Sequence, residues 1–292
     1  MAMQGLSAHA GAREVGLPPS FRWPDDKRIA VFFRVACEGW SDGAWPALGP
    51  MGNPLKAGVP DLNALGWVEY GMRRGMERIL KVLDRQQIKA TMLICAVLAE
   101  RFPGVLKDIA DAGHVITAHS YGMDVIPAYL DEAQERENIQ RSTDIFDRLL
   151  GKRPLGWISP RATPSPTTAR LLSEAGYLWH GDTMNDDLPY KVQFDDTSIF
   201  AFPGGMELND TPLYIRYGNS PRMMHELFDD WLEYVRLHED GACRISPSIH
   251  AHVFGRQTGI KVFEELIEKV KAQNDIWIGT QDAAIDHIRR VI

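Results

Sequence analysis

The sequence predicts an α/β protein whose architecture is a (β/α) barrel, on three observations. Short apolar runs alternate with amphipathic stretches, a pattern that favours parallel strands joined by right-handed crossovers. Roughly seven or eight such runs occur, enough to close a barrel at this chain length. No Gly-x-Gly-x-x-Gly follows the first run, which weighs against a dinucleotide-binding sheet.

Residues 1–24 are rich in Gly, Pro and Ala without a period and read as an arm, ordered only if it packs on something. Residues 25–292 read as a single domain. Ile29 to Ala36 is the first predicted strand, followed by a long loop from Glu38 to Gly66 that holds Trp40 and Trp45. A loop of that length inside a compact domain points to function or an interface. Trp67 to Gln87 has helical spacing, with Met72, Met76, Ile79, Leu80 and Leu83 on one face. Ala90 to Ala96 is a strand, and Leu98 to Ala112 a helix stopped at Gly113. Val115 to Ala118 is the next strand, and Asp131 to Leu150 an amphipathic helix ending at Gly151. Strands follow at Leu155–Ser159, Leu178–His180 and Ser198–Phe202, with a helix over Thr167–Ala175. Met223–His238 is a helix, Arg244–Ile249 a strand and Ile260–Gln273 a helix. Ile276–Gly279 and Gln281–Val291 close the chain as strand and helix.

The chain has 292 residues, is 45% hydrophobic and 24% charged, and carries a net charge of −7. An acidic chain of this kind has no basic footprint for nucleic acid. No window approaches a membrane span, and Met1 to Gly16 has no apolar core of signal-peptide length, so the expectation is a cytoplasmic protein. Cys37, Cys95 and Cys243 are too widely spaced for a disulfide framework or a four-cysteine zinc site.

Polar residues stand just after the apolar runs, where α/β proteins place chemistry. Glu38 follows the first strand, as a base, a metal ligand or a solvated loop acid. His119 follows Val115–Ala118, and Arg161 follows a strand and a proline turn. Asp186-Asp187-Leu188-Pro189-Tyr190 pairs acids with a rigid aromatic. His250 and His252 share one face of the strand beginning at Arg244. Cys37 reads either as a nucleophile activated by a histidine or, more commonly, as a buried inert thiol. The reading is that Glu38, His119, Arg161, Asp187 and His250 converge on one site.

Taken in order, these motifs resemble the NodB-type polysaccharide deacetylase superfamily over roughly Phe21 to Ile292. They are the acid after strand one, His119-Ser120, the Trp157-x-x-x-Arg161 turn, Asp186-Asp187-Leu188-Pro189-Tyr190, Glu207-x-Asn209-Asp210 and His250-x-x-x-x-Gly255-Arg256. The chain is most similar to the branch of allantoinases and cyclic imide hydrolases. The resemblance implies a deformed (β/α) barrel, hydrolysis of an acyl–nitrogen bond and a homo-oligomer such as a tetramer. Deacetylases of the superfamily hold a divalent metal with an acid pair and His-x-x-x-His. Glu38 falls on the metal-binding acid, Cys37 on the acid used as base, His119 on the first histidine and Met123 on the second. A thioether is a poor zinc ligand. The expectation is therefore no cofactor; the alternative is Zn2+ or another divalent metal held by Glu38 and His119.

The resemblance implies a hydrolase that opens a small cyclic imide or amide. Glu38 or His119 activates water, and His250 protonates the leaving nitrogen or polarises the carbonyl. Arg161 with Asp187 positions the histidine or binds the second carbonyl. Trp40, Trp157 and Tyr190 form a flat pocket, and Asn209 and Asp210 contact substrate or shape their loop. The alternatives are an allantoinase-like ureide hydrolase, a metal-dependent deacetylase of N-acetyl sugars or peptidoglycan, and a non-catalytic barrel.

Overall fold

The first apolar run folds as two short strands rather than one, β2 (Ile29–Val31) and β3 (Arg34–Cys37), preceded by β1 (Arg13–Val15) in the arm. This comes from a computed structural model that describes residues 8–47, 49–52 and 55–292. Residues 1–7 of the predicted arm and positions 48, 53 and 54 of the predicted long loop lie outside the described residues. The break at residues 32–33 lets one chain segment serve two sheets. β2 pairs in parallel with β10 (Cys243–Ile245) and β12 (Ile276–Ile278), while β3 pairs in parallel with β4 (Thr91–Ile94) and β11 (Ser248–His250).

From β4 the parallel wall continues through β5 (Val115–Ala118), β6 (Gly156–Trp157), β7 (Trp179–His180) and β9 (Ser198–Ala201). The architecture is α/β with a parallel wall and helices. It is deformed in that β1 and β11 are the two ends of the nine-stranded sheet, with no ladder joining them among the described residues. β8 (Tyr190–Gln193) was not expected from the sequence. It pairs antiparallel with β9 on one side and with β1 on the other, so the arm is packed against the domain.

Two predicted helices are divided. α1 (Leu62–Tyr70) starts earlier than the apolar period suggests, because the Asp61 side chain accepts from the Ala64 amide and caps it. A π-turn over Gly71–Gly75 separates it from α2 (Met76–Arg85). α3 (Ala96–Arg101) and α4 (Pro103–Asp111) part at Pro103, which opens the second helix and cannot continue the first. α5 (Glu132–Leu150) has a capping box at Asp131 and Gln134 and ends on left-handed Gly151. α6 (Thr168–Glu174), α7 (Met223–His238), α8 (Gln257–Lys271) and α9 (Gln281–Ile288) complete the helices.

Strand alternation sorts the wall. Val35 and Cys37 of β3 face the main core, with Met92 and Ile94 of β4 and Ile116 and Ala118 of β5. Arg34, Ala36 and Glu38 take the other face and line a cavity, as Ser248 and His250 of β11 do. No helix among the described residues is long and apolar enough to cross a membrane.

Candidate active site

Glu38, His119, Arg161, Asn209 and His250 reach one cavity of about 230 Å³ at the carboxyl ends of the parallel strands, together with Arg34 and Arg216. His250 is at its centre. Its ring Nδ1–H donates to Asp210 Oδ1 at 2.6 Å, while its backbone N–H donates to Asp210 Oδ2 at 2.8 Å. On the cavity side His250 Nε2 lies 3.4 Å from Glu38 Oε1. Burial alone would discharge the ring, but Asp210 and Glu38 hold it charged and push its pKa up to about 10. Burial would likewise raise the Glu38 carboxyl; His250 outweighs it and brings Glu38 down to about 2. At neutral pH the site therefore holds an imidazolium between two carboxylates.

His119 is in the opposite state. Its Nδ1 lies 2.5 Å from the Ile158 carbonyl, which can only accept, so Nδ1 carries the proton and Nε2 is left with its lone pair. Burial lowers its pKa, with Glu38 opposing. The next residue, Ser120, has φ 60°, a left-handed turn outside the usual range of a non-glycine residue. The turn is pinned by Asn138 of α5, whose Nδ2 donates to Ser120 Oγ at 2.9 Å and whose Oδ1 accepts from the Tyr121 amide at 3.1 Å. Arg161 also has a positive φ, 59°, in the turn after Ser159. Strain held in this way clusters at functional loops.

Three groups stand outside the expected set of site residues, although His252 was already read on the face of His250. His252 is buried on the face of His250, 3.9 Å from Glu38 Oε2, its ring edge against Trp67; burial drives its pKa down to about 3. Asp182 accepts from the Ser159 amide and hydroxyl, both at 2.6 Å, and burial pushes it up to about 7. Arg34 was hidden inside an apolar run. Period-two alternation aligns Arg34 with Glu38 and His252 with His250; Asp182, after β7, has no such signal.

Other expected residues are placed elsewhere. Asp187 is exposed and lines a neighbouring groove with Asp186, Glu207 and Arg244, so it does not orient His250; Asp210 occupies that position. Trp157 is fully buried against Tyr177, because its neighbour Ile158 takes the cavity face. Tyr190 lies in β8 and its hydroxyl donates to Asn185 Oδ1. Trp40 packs against the core. The flat aromatic pocket therefore does not form, and apolar contacts in the cavity come from Leu93, Ile158 and Met184. Cys37 faces the core as a neutral thiol, pushed up to about 12 by burial and Glu38, which argues against a nucleophile.

A catalytic zinc needs about three protein donors. Glu38 and His119 face the cavity and His252 lies beside Glu38, but Met123, on the position of the second histidine, is in the core and Cys37 is turned away into it. Among the described residues no group of three His, Cys, Asp or Glu is arranged to hold a metal ion. The donor set does not fit a three-ligand metal site.

Residues 67–179 match the family model of polysaccharide deacetylases. Over that stretch the chain is similar to the polysaccharide deacetylases. The crystal structure of a probable polysaccharide deacetylase from Pseudomonas aeruginosa PAO1 superposes with a TM-score of 0.83 at 28% identity, covering 93% of this chain and 94% of the other. A Puue allantoinase structure gives the same TM-score, 0.83, at 28% identity over 93% of each chain. A peptidoglycan deacetylase of Helicobacter pylori is 25% identical over 249 residues, 74% of this chain and 84% of that protein.

Proposed function

We propose that this protein is a polysaccharide-deacetylase-like hydrolase that opens a carbon–nitrogen bond of a small cyclic imide or cyclic amide without a catalytic metal. The observation that carries the reading is the opposed protonation of two histidines in one small cavity, a neutral His119 and a charged His250. His119 Nε2 takes a proton from water as the oxygen adds to the ring carbonyl. His250 Nε2–H gives its proton to the ring nitrogen as the carbon–nitrogen bond breaks. Glu38, held near 2, is too weak a base to take the water proton and instead keeps His250 charged. The open-chain product carries a carboxylate and an amide. An imide suits this machinery, because its second acyl group makes the carbonyl easier to attack and the leaving nitrogen less basic. The likeness to a Puue allantoinase favours a cyclic ureide as the second reading.

The test is turnover of succinimide, phthalimide, hydantoin, allantoin and a chitin oligomer, with and without a chelator. The expected result is ring opening that survives the chelator. His119→Ala and His250→Ala should each lower kcat by about 10²–10⁴-fold while the fold is kept. Activity confined to the N-acetyl sugar and abolished by chelation would overturn the reading.

A further inference from the structure

The inner end of the cavity is occupied by a cation that the hydrolysis just described does not use. Arg34 stands four residues before Glu38 on the same strand face, which puts its Cα about 13 Å deeper along the strand. It is 6% exposed. Its Nε donates to Ser248 Oγ at 2.8 Å, and that is its one side-chain hydrogen bond among the described residues. Its remaining N–H groups have no protein acceptor there, yet they are not among the buried polar atoms sealed without a partner, so they open to the cavity. No carboxylate among the described residues ion-pairs with it. The acids nearby, Asp186, Asp187 and Glu207, act on Arg244 in the adjoining groove. Arg244 is a second buried cation beside Arg34 and makes an anion more welcome there.

A guanidinium kept from water without a carboxylate is costly unless something charged joins it, and its planar fork matches a carboxylate. The rest of the lining points the same way. Arg161 and Arg216 also face the cavity, neither with an ion pair among the described residues, against Glu38 as the one acid, which His250 already neutralises.

We propose that the ring opened at Glu38, His119 and His250 carries a carboxylate, which Arg34 binds at the inner end of the cavity, so that the substrates are acidic cyclic imides, amides or ureides. This rests on the hydrolytic reading and narrows it. The experiment compares hydantoin-5-acetate with its neutral isostere hydantoin-5-acetamide. Wild type should prefer the acid on the order of 100-fold in kcat/KM, mostly through KM, the scale set by a buried charge pair. In Arg34→Gln the preference should fall towards unity, and in Arg34→Lys, which keeps the charge without the fork, part of it should remain. Equal kcat/KM for acid and amide in wild type, or a loss in Arg34→Gln that is the same for both, would overturn the proposal. A second readout needs no turnover. Glutarate, but not glutaramide, should raise the melting temperature of wild type, and the Arg34→Gln protein should lose that response. If no ring is opened but this binding pattern holds, the hydrolytic reading fails and the anion site stands; if glutarate and glutaramide behave alike, the anion site fails.

Discussion

His250 is positioned as an acid by its neighbours, and Asp210 is the neighbour that can be removed without touching the cavity. Asp210 is fully buried and bonds both the ring and the amide of His250. A group that must be protonated to act loses activity as pH rises through its pKa, which places the alkaline limb of kcat/KM near 10. The acid limb belongs to His119, which must be neutral, and lies below the ordinary histidine value of 6.5. Asp210→Asn keeps the shape but removes the charge, so the alkaline limb should move to lower pH while the acid limb stays. An unmoved alkaline limb would show that Asp210 does not set the charge on His250. The same shift has a stability sign. Because the folded pKa of His250 is raised, its stabilisation is complete below 6.5 and lost as pH climbs towards 10. At this scale the sequence was legible where a polar residue follows an apolar run, as at Glu38, His119 and His250. It misled where a residue's face mattered. Trp157 looks like pocket material until Ile158 is seen to take the cavity side, and Arg34 looks like a strand interior until alternation aligns it with Glu38.

The end of β11 is held by a close approach between elements. Gly75, at the close of the π-turn, lies against the turn after His250; a Cβ there would come 2.0 Å from the Ala251 carbonyl oxygen. Its φ of −64° is ordinary, so the requirement is space rather than backbone conformation. Gly75→Ala must push α2 away from residues 251–255, with His250 and His252 on the segment that moves. The expected cost is about 1–3 kcal/mol, read as a lower melting temperature, with a drop in kcat beyond the loss of folded protein. Gly104→Ala, in α4 where a Cβ meets nothing within 4 Å, is the control and should keep turnover and keep or slightly raise the melting temperature. A Gly75→Ala protein with wild-type melting and turnover would remove this contact from the argument. Helical spacing over Trp67–Gln87 was readable, because apolar residues repeat there. The π-turn was not, since it answers to a neighbour more than 170 residues away in the chain.

Across the whole molecule, the parallel wall needed something at its β9 edge. β8 and β1 supply it as an antiparallel extension, with Arg13 opposite Gln193 and Val15 opposite Lys191. The arm also brings in His9, buried, whose Nε2 lies 3.1 Å from His180 Nε2 and whose Nδ1 lies 2.8 Å from Glu14 Oε1. Strand alternation at Tyr190–Gln193 was present in the sequence, but Pro189 and the paired acids drew attention to a turn; the pairing of Arg13–Val15 has no local periodicity and depends on β8 being there. Deleting residues 1–16 would strip β8 of its partner and leave a row of unpaired N–H and C=O groups beside buried Tyr190 and Val192. Such edges pair with other chains. The truncated protein should melt earlier and show concentration-dependent association by light scattering, while kcat per folded molecule holds, because Glu38, His119 and His250 come from strands at the far side of the sheet order. A truncated chain as stable and monodisperse as the full one would mean that β8 guards its own edge. In that case the arm would be covering a surface that the fold does not need covered.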